Sequence, residues 1–191
     1  MDIMVGKVTD FIHDSRDLMH VRRFTTVRGF QDESVAEHSY YTTLYAMVIC
    51  DLEAAEGRRV DASEVLRRCL LHDLDEARVS DIPRPIKHAN HEVQSTISKI
   101  SAQVYEELVS PLPPIVRDEY VRLWNKDSSY EAKVQKAADL LEALAWAIEE
   151  QTMGNMRVKS LKIAENLLAE IREIGVPSAT KIAEQLISEI H

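Results

Sequence analysis

Helix breakers fall at only a few points of this chain, and their spacing decides what it can fold into. Its five glycines and six prolines include Gly29, Gly57, Pro83 with Pro85, Pro111 to Pro114, Gly154, and Gly175 with Pro177. The segments between these points read as helix, with apolar residues returning at steps of three or four. Three places carry a capping-box pattern, in which a short polar side chain and an acid three residues later satisfy first-turn amides reciprocally: Ser34 with Glu37, Asp61 with Glu64, and Ser128 with Glu131. Long alternating β-branched runs are missing, and so is a glycine-rich loop after a strand, which excludes a dinucleotide-binding α/β fold and a P-loop. The expectation is an all-α, single-domain bundle of seven to eight helices over residues 1–191. The longest irregular piece is expected at Ser80 to Lys87.

Composition narrows the function. With 45% hydrophobic and 29% charged residues, the 191-residue chain supports one sizeable core. A formal charge of -9 disfavours nucleic acid polymers and anionic membranes, although a local cationic cluster can still hold a small anion. No apolar run approaches the roughly 18 residues of a membrane span, and Met1 to Met19 does not read as a signal peptide. Cys50 and Cys69 lie on apolar helical stripes without CxxC spacing, so they read as reduced core residues of a cytoplasmic protein.

Against that background a few polar residues stand out. His72 and Asp73 are adjacent in a segment that reads as one helix from about Asp61 to Arg78. There Ala62, Leu66, Cys69, Asp73 and Glu76 recur at helical steps, while Asp75 is expected to point elsewhere. His38 is expected to face inward on a stripe with Tyr41, Tyr45, Val48 and Leu52; taken alone, it reads as a hydrogen-bonded core histidine. Asp139 and Glu142 are the only polar residues in AADLLEALAWAI, from Ala137 to Ile148, a helix apolar enough to be central. A carboxylate buried there requires a metal, an arginine or a histidine, and an ordinary salt bridge is the simpler reading. Glu142 is assigned no role.

Two imidazoles and two carboxylates, His38, His72, Asp73 and Asp139, suit one divalent cation such as Mn²⁺, Co²⁺, Fe²⁺, Zn²⁺ or Mg²⁺, and so a metal-dependent hydrolase. Arg23, Lys87 and Lys136 lie near these residues in sequence or helical register and suit a phosphorylated substrate, although any one of them also reads as a solvated charge.

The segments RRFTTVRGFQDESVAEHS at Arg22 to Ser39, LLHDLDEARVSDIPRPIKH at Leu70 to His88, and KAADLLEAL at Lys136 to Leu144 together resemble the HD-domain metal-dependent phosphohydrolases, and within them the compact bacterial 5'-deoxynucleotidases. The resemblance implies that His38, His72, Asp73 and Asp139 are the metal ligands. By the same resemblance Glu76 positions or activates the attacking water, and Asp81 is a second catalytic acid near the leaving oxygen. It also places Arg23, Lys87 and Lys136 at phosphate and Pro85 near the sugar. Phe24 stands where this family usually has tryptophan, which leaves a smaller stacking surface without an N–H donor. His88 and His91 read as solvent-facing first-turn residues, so one bound metal is expected.

The implied reaction is 5'-phosphate removal from deoxynucleoside monophosphates. A dNTP triphosphohydrolase, with dATP one example, and a nucleotide-sensing module without turnover are the alternatives. The expected partner is a small deoxynucleotide, and the family resemblance implies a homo-oligomer, dimer or larger, with the amphipathic terminal helices offering an easy contact.

Overall fold

A computed structural model describes residues 7–87, 89–125 and 127–189 of the chain. Its helices are α1 (Val8–Ser15), α2 (Val35–Ala55), α3 (Ala62–Leu71), α4 (Glu76–Val79), α5 (Arg84–Lys87), α6 (His91–Val109), α7 (Pro114–Trp124), α8 (Tyr130–Thr152), α9 (Met156–Ser160), α10 (Ile163–Ile174) and α11 (Pro177–Ser188), with a 3-10 turn at Arg16–His20. Eight of them run eight residues or longer, as the punctuation predicts; α4, α5 and α9 are single turns, too short for periodicity to reveal. Extended pairing among the described residues is limited to one antiparallel bridge between Arg22 and Ser34. No described helix is long and apolar enough to cross a membrane.

The described residues gather into two compact units. The first takes residues 7–26, 33–37, 71–87 and 89–125 and has its own core of Leu18, Val35, Leu71, Leu74, Tyr105, Leu108, Val109, Leu112 and Leu123. The Tyr105 ring stacks on Trp124 at 4.6 Å, and its buried hydroxyl donates to the Tyr120 carbonyl, which satisfies the polar tip of an otherwise apolar side chain. Ser34 caps α2 as its sequence indicates. Its hydroxyl and its amide donate to Glu37 Oε2 at 2.6 and 2.8 Å and hold the Glu37 carboxyl below its usual pKa, while the Glu37 amide donates to Ser34 Oγ at 3.2 Å.

The second unit takes residues 27–32, 38–70 and 127–189, with α10 and α11 packed against α8. Helix α8 is the buried centre that its composition predicts: Val134, Ala137, Ala138, Leu140, Leu141, Leu144 and Ala147 are all buried. The cap of α8 differs by one residue from the expected Ser128. Ser129 Oγ accepts from the Ala132 amide, and Glu131 instead accepts from the Asp61 amide, while Asp61 caps Glu64. Short polar residues in tandem offer two equivalent caps, and the tertiary partner of Glu131 selects one.

Two buried acids staple this unit. Glu53 accepts from Arg58, from Tyr130 Oη at 2.6 Å and from the Ser178 amide at 3.0 Å. Glu150 accepts from the amides of Phe30 and Gln31 and from Asn155 Nδ2, tying the 27–32 loop to the end of α8. Gly29 permits that approach, because a Cβ there would sit 3.3 Å from both Glu150 Oε1 and Trp146.

Candidate active site

In the second unit the candidate residues lie on two long helices. Helix α2 carries His38, whose residue is 0% exposed. The stripe it shares is not the expected one: Thr42, Ala46, Ile49 and Glu53 are buried with it, whereas Tyr41, Val48 and Leu52 are exposed. No charged residue occurs from Ser39 to Cys50, so apolar periodicity surrounds α2 and cannot tell one face from the other. His38 Nε2 lies 3.3 Å from Asp139 Oδ1 of α8, and Nδ1 lies 2.5 Å from Glu142 Oε2. One turn back on α8, Lys136 Nζ reaches Asp139 Oδ2 at 2.7 Å while staying half-exposed. Glu142, which had no assigned role, is therefore a buried partner of His38. Its sequence signal was present: an acid three residues after Asp139 in a helix apolar on its other faces.

In the first unit the candidate residues lie on turns. The expected helix from Asp61 to Arg78 is broken, since α3 ends at Leu71 and the chain tightens through Leu74 N to Leu71 O and Glu76 N to Asp73 O bonds before α4 begins. A three-residue winding reads almost like a four-residue one in periodicity, and Asp73 and Asp75 favour such local turns. Asp75 is buried and bonds elsewhere, to Ser101; burial raises its pKa against that hydrogen bond. His72 Nε2 lies 3.0 Å from Asp73 Oδ2.

Glu76, at the start of α4, is buried and accepts from Lys87 Nζ at 3.0 Å, and Lys87 lies 3.9 Å from Asp81 Oδ1. Burial, followed by the Asp73 carboxylate, pushes the Glu76 carboxyl up to about 9, with Lys87 opposing the shift. Burial pulls Lys87 down, but Glu76, Asp73 and Asp81 outweigh it and leave its pKa raised. Ser80, just before Asp81, has φ 63, a left-handed backbone that a residue other than glycine adopts at a cost of about 1–3 kcal/mol.

The 80–87 segment is less irregular than expected. Pro83 O accepts from the Ile86 and Lys87 amides, closing the single turn of α5, and Pro85 lies within that turn with its φ already fixed for helix. That turn carries Lys87 to Glu76.

Arg23, in the same unit, pairs with Glu33 at 2.5 Å and lies 4.6 Å above the Phe24 ring. Phe24 itself has φ 55. Glu33 was not anticipated, and only the Arg22 to Ser34 bridge, invisible to local periodicity, brings it to Arg23. His91 is an exposed first residue of α6, as expected, and His88 lies outside the described residues.

Each unit thus holds an imidazole nitrogen about 3 Å from a carboxylate oxygen. Neighbouring ligands about 2.1 Å from a common ion stand at roughly this separation, so the donor chemistry fits a divalent cation of the Zn²⁺, Mn²⁺ or Fe²⁺ type. The structure brings His38, Asp139, Glu142 and Lys136 together in one unit, and His72, Asp73, Glu76, Asp81 and Lys87 in the other.

Known proteins resemble this chain in sequence and fold. A 5'-deoxynucleotidase of Erwinia tasmaniensis is 27% identical over 191 residues, spanning 94% of this chain and 96% of its own. Among solved structures, an HD-domain phosphohydrolase from Listeria innocua superposes with a TM-score of 0.79 at 25% identity, covering 96% of this chain and 89% of its own. The cyanophage S-2L HD phosphohydrolase DatZ, bound to dA and one catalytic Zn²⁺ ion, shares the fold with a TM-score of 0.64 at 19% identity, covering 93% and 95%. The profile of the 5'-deoxynucleotidase YfbR-like family matches residues 10–190, nearly the whole chain. The chain belongs to the YfbR-like 5'-deoxynucleotidase family of HD-domain phosphohydrolases.

Proposed function

We propose that this chain is a metal-dependent phosphoric ester hydrolase, working as one HD-type catalytic domain over 1–191, that removes the 5'-phosphate from deoxynucleoside monophosphates. Family membership supports the reaction class. The observation that carries the reading is Glu76: a buried carboxyl on the turn after His72 and Asp73, bonded to Lys87, with Asp81 beside that lysine. A nucleotide-sensing module needs ligands but has no use for such an acid.

In this reading His38, His72, Asp73 and Asp139 would hold one divalent cation. The cation supplies Lewis acidity toward a phosphoryl oxygen and lowers the pKa of the attacking water. Glu76 would orient that water or, when ionised beside Lys87, take its proton. Lys87, Arg23 and Lys136 offset the charge on the phosphoryl oxygens, and Asp81 hydrogen-bonds the leaving 5'-oxygen. Phe24 stacks on the nucleoside, and Pro85 borders its sugar.

A homo-oligomer, dimer or larger, belongs to the same reading. Its support is the exposed apolar face of α2, with Tyr40, Tyr41, Leu44, Met47 and Val48, in the run without charges. The stripes of the terminal helices are spent inside the second unit, where Ala164, Leu167, Ile171, Ala179 and Ala183 are buried. A cytoplasmic location fits the two buried free thiols of Cys50 and Cys69. A small deoxynucleotide rather than a nucleic acid polymer fits the net charge of -9.

The test restores metal-stripped protein with Mn²⁺, Co²⁺, Zn²⁺ and Mg²⁺ in turn and separates the products from each deoxynucleoside mono- and triphosphate. Orthophosphate and nucleoside from monophosphates are expected. Triphosphate release from dNTPs would move the same residues to a triphosphohydrolase, and binding without product under every metal would overturn the hydrolase.

A further inference from the structure

The geometry points to Glu142 as a positioning residue for the metal: it fixes the orientation and tautomer of His38, so that Nε2 presents its lone pair beside Asp139. The inference rests on the proposed reading of His38 and Asp139 as ligands.

The two ring nitrogens of His38 face different groups. Nδ1 lies 2.5 Å from Glu142 Oε2, and Nε2 lies 3.3 Å from Asp139 Oδ1. Thr42 Oγ1 lies 3.4 Å from Nδ1, too far to compete with the carboxylate for that proton. Both partners are buried, with side chains 0% and 5% exposed, so the contact is shielded from water that would otherwise weaken it.

A carboxylate accepting from Nδ1–H leaves the Nε2 lone pair for a cation and makes it a stronger donor. The helices set the geometry. Glu142 follows Asp139 by three residues on α8, so one face of one helix supplies a ligand and the acceptor that orients the other ligand. An acid placed in so apolar a helix costs stability, which this role accounts for.

The test compares wild type with Glu142→Met, which keeps the volume and removes the acceptor, and Glu142→Gln, whose amide oxygen still accepts from Nδ1–H. Zn²⁺ affinity is measured against a competing chelator, and the visible spectrum of the Co²⁺ forms reports ligand geometry. Glu142→Met is expected to bind metal roughly 10–100-fold more weakly with an altered Co²⁺ spectrum. Its metal-free melting temperature should fall, because the buried Nδ1–H loses its acceptor, so affinities are compared where each variant is folded. Glu142→Gln should stay within a few-fold of wild type with the same spectrum.

Wild-type affinity and an unchanged Co²⁺ spectrum in Glu142→Met would overturn the inference while leaving the ligands standing. If Glu142→Met does not fold, a Glu142→Gln protein that folds but loses metal as His38→Ala does would overturn it, because an acceptor would then not suffice. Metal binding that survives His38→Ala would overturn the ligand reading and this inference together.

Discussion

The two units carry their site residues on opposite kinds of scaffold. In the second, His38 and Asp139 sit on helices of 21 and 23 residues, with every polar atom of the pair committed to a neighbour on the same helices. In the first, His72, Asp73, Glu76, Asp81 and Lys87 sit on tightened turns and helices of four residues, with a left-handed Ser80 among them. Long helices hold a ligand pair rigidly, whereas short turns let several acids converge on one point at the cost of burial and backbone strain. Electrostatics follows the same division. One stapling acid of the second unit, Glu53, is pulled down to about 2, its hydrogen bonds to Arg58, Ser178 and Tyr130 outweighing burial, and the buried acid Glu76 of the first unit is pushed up to about 9.

The sharpest way to break this contrast is Glu76→Ala. Turnover should fall by roughly 10²–10⁴-fold while metal content stays near wild type, since the acid handles the water's proton rather than the ion. Unchanged kcat would remove Glu76 from the mechanism. Next is Glu53→Ala, which strips the buried acceptor from Tyr130 and the Ser178 amide; denaturant unfolding should show a loss of about 3 kcal/mol. A loss well under 1 kcal/mol would mean that the staple is ornamental.

The pH dependence separates the two acids by sign. The folded pKa of Glu53 is below its unfolded value, so its contribution is present above about pH 4.5 and is lost as pH falls toward 2. That of Glu76 is above its unfolded value, so in metal-free protein its contribution is present below about pH 4.5 and is lost as pH rises toward 9. Melting curves of metal-free Glu53→Gln and Glu76→Gln should therefore flatten on the acid side and the alkaline side respectively. The same flattening in both would erase the contrast. The smallest effect is Ser34→Ala, which opens the capping box of α2 and should cost about 1 kcal/mol in unfolding.

Much of this was legible in the chain before any coordinates. The helix boundaries followed from glycine and proline placement, and Asp139 declared itself by being polar in an apolar helix. What escaped shares one cause: contacts set by tertiary partners rather than by period. The face of α2 that His38 shares was undecidable because both faces are apolar. The break after Leu71 was hidden because three- and four-residue windings give similar stripes. Glu142 and Glu33 acquire meaning only from His38 and Arg23, 104 and 10 residues away.

The central proposal is that His38, His72, Asp73 and Asp139 hold one ion. Metal content of purified wild type, Asp139→Asn and Asp73→Asn, measured by plasma emission spectroscopy after exchange into metal-free buffer, tests it most directly. One ion per chain in wild type, and loss of most of it in each variant, is the predicted result. A full complement of metal in either variant would show that the altered aspartate is not part of that site, and the claim would fail.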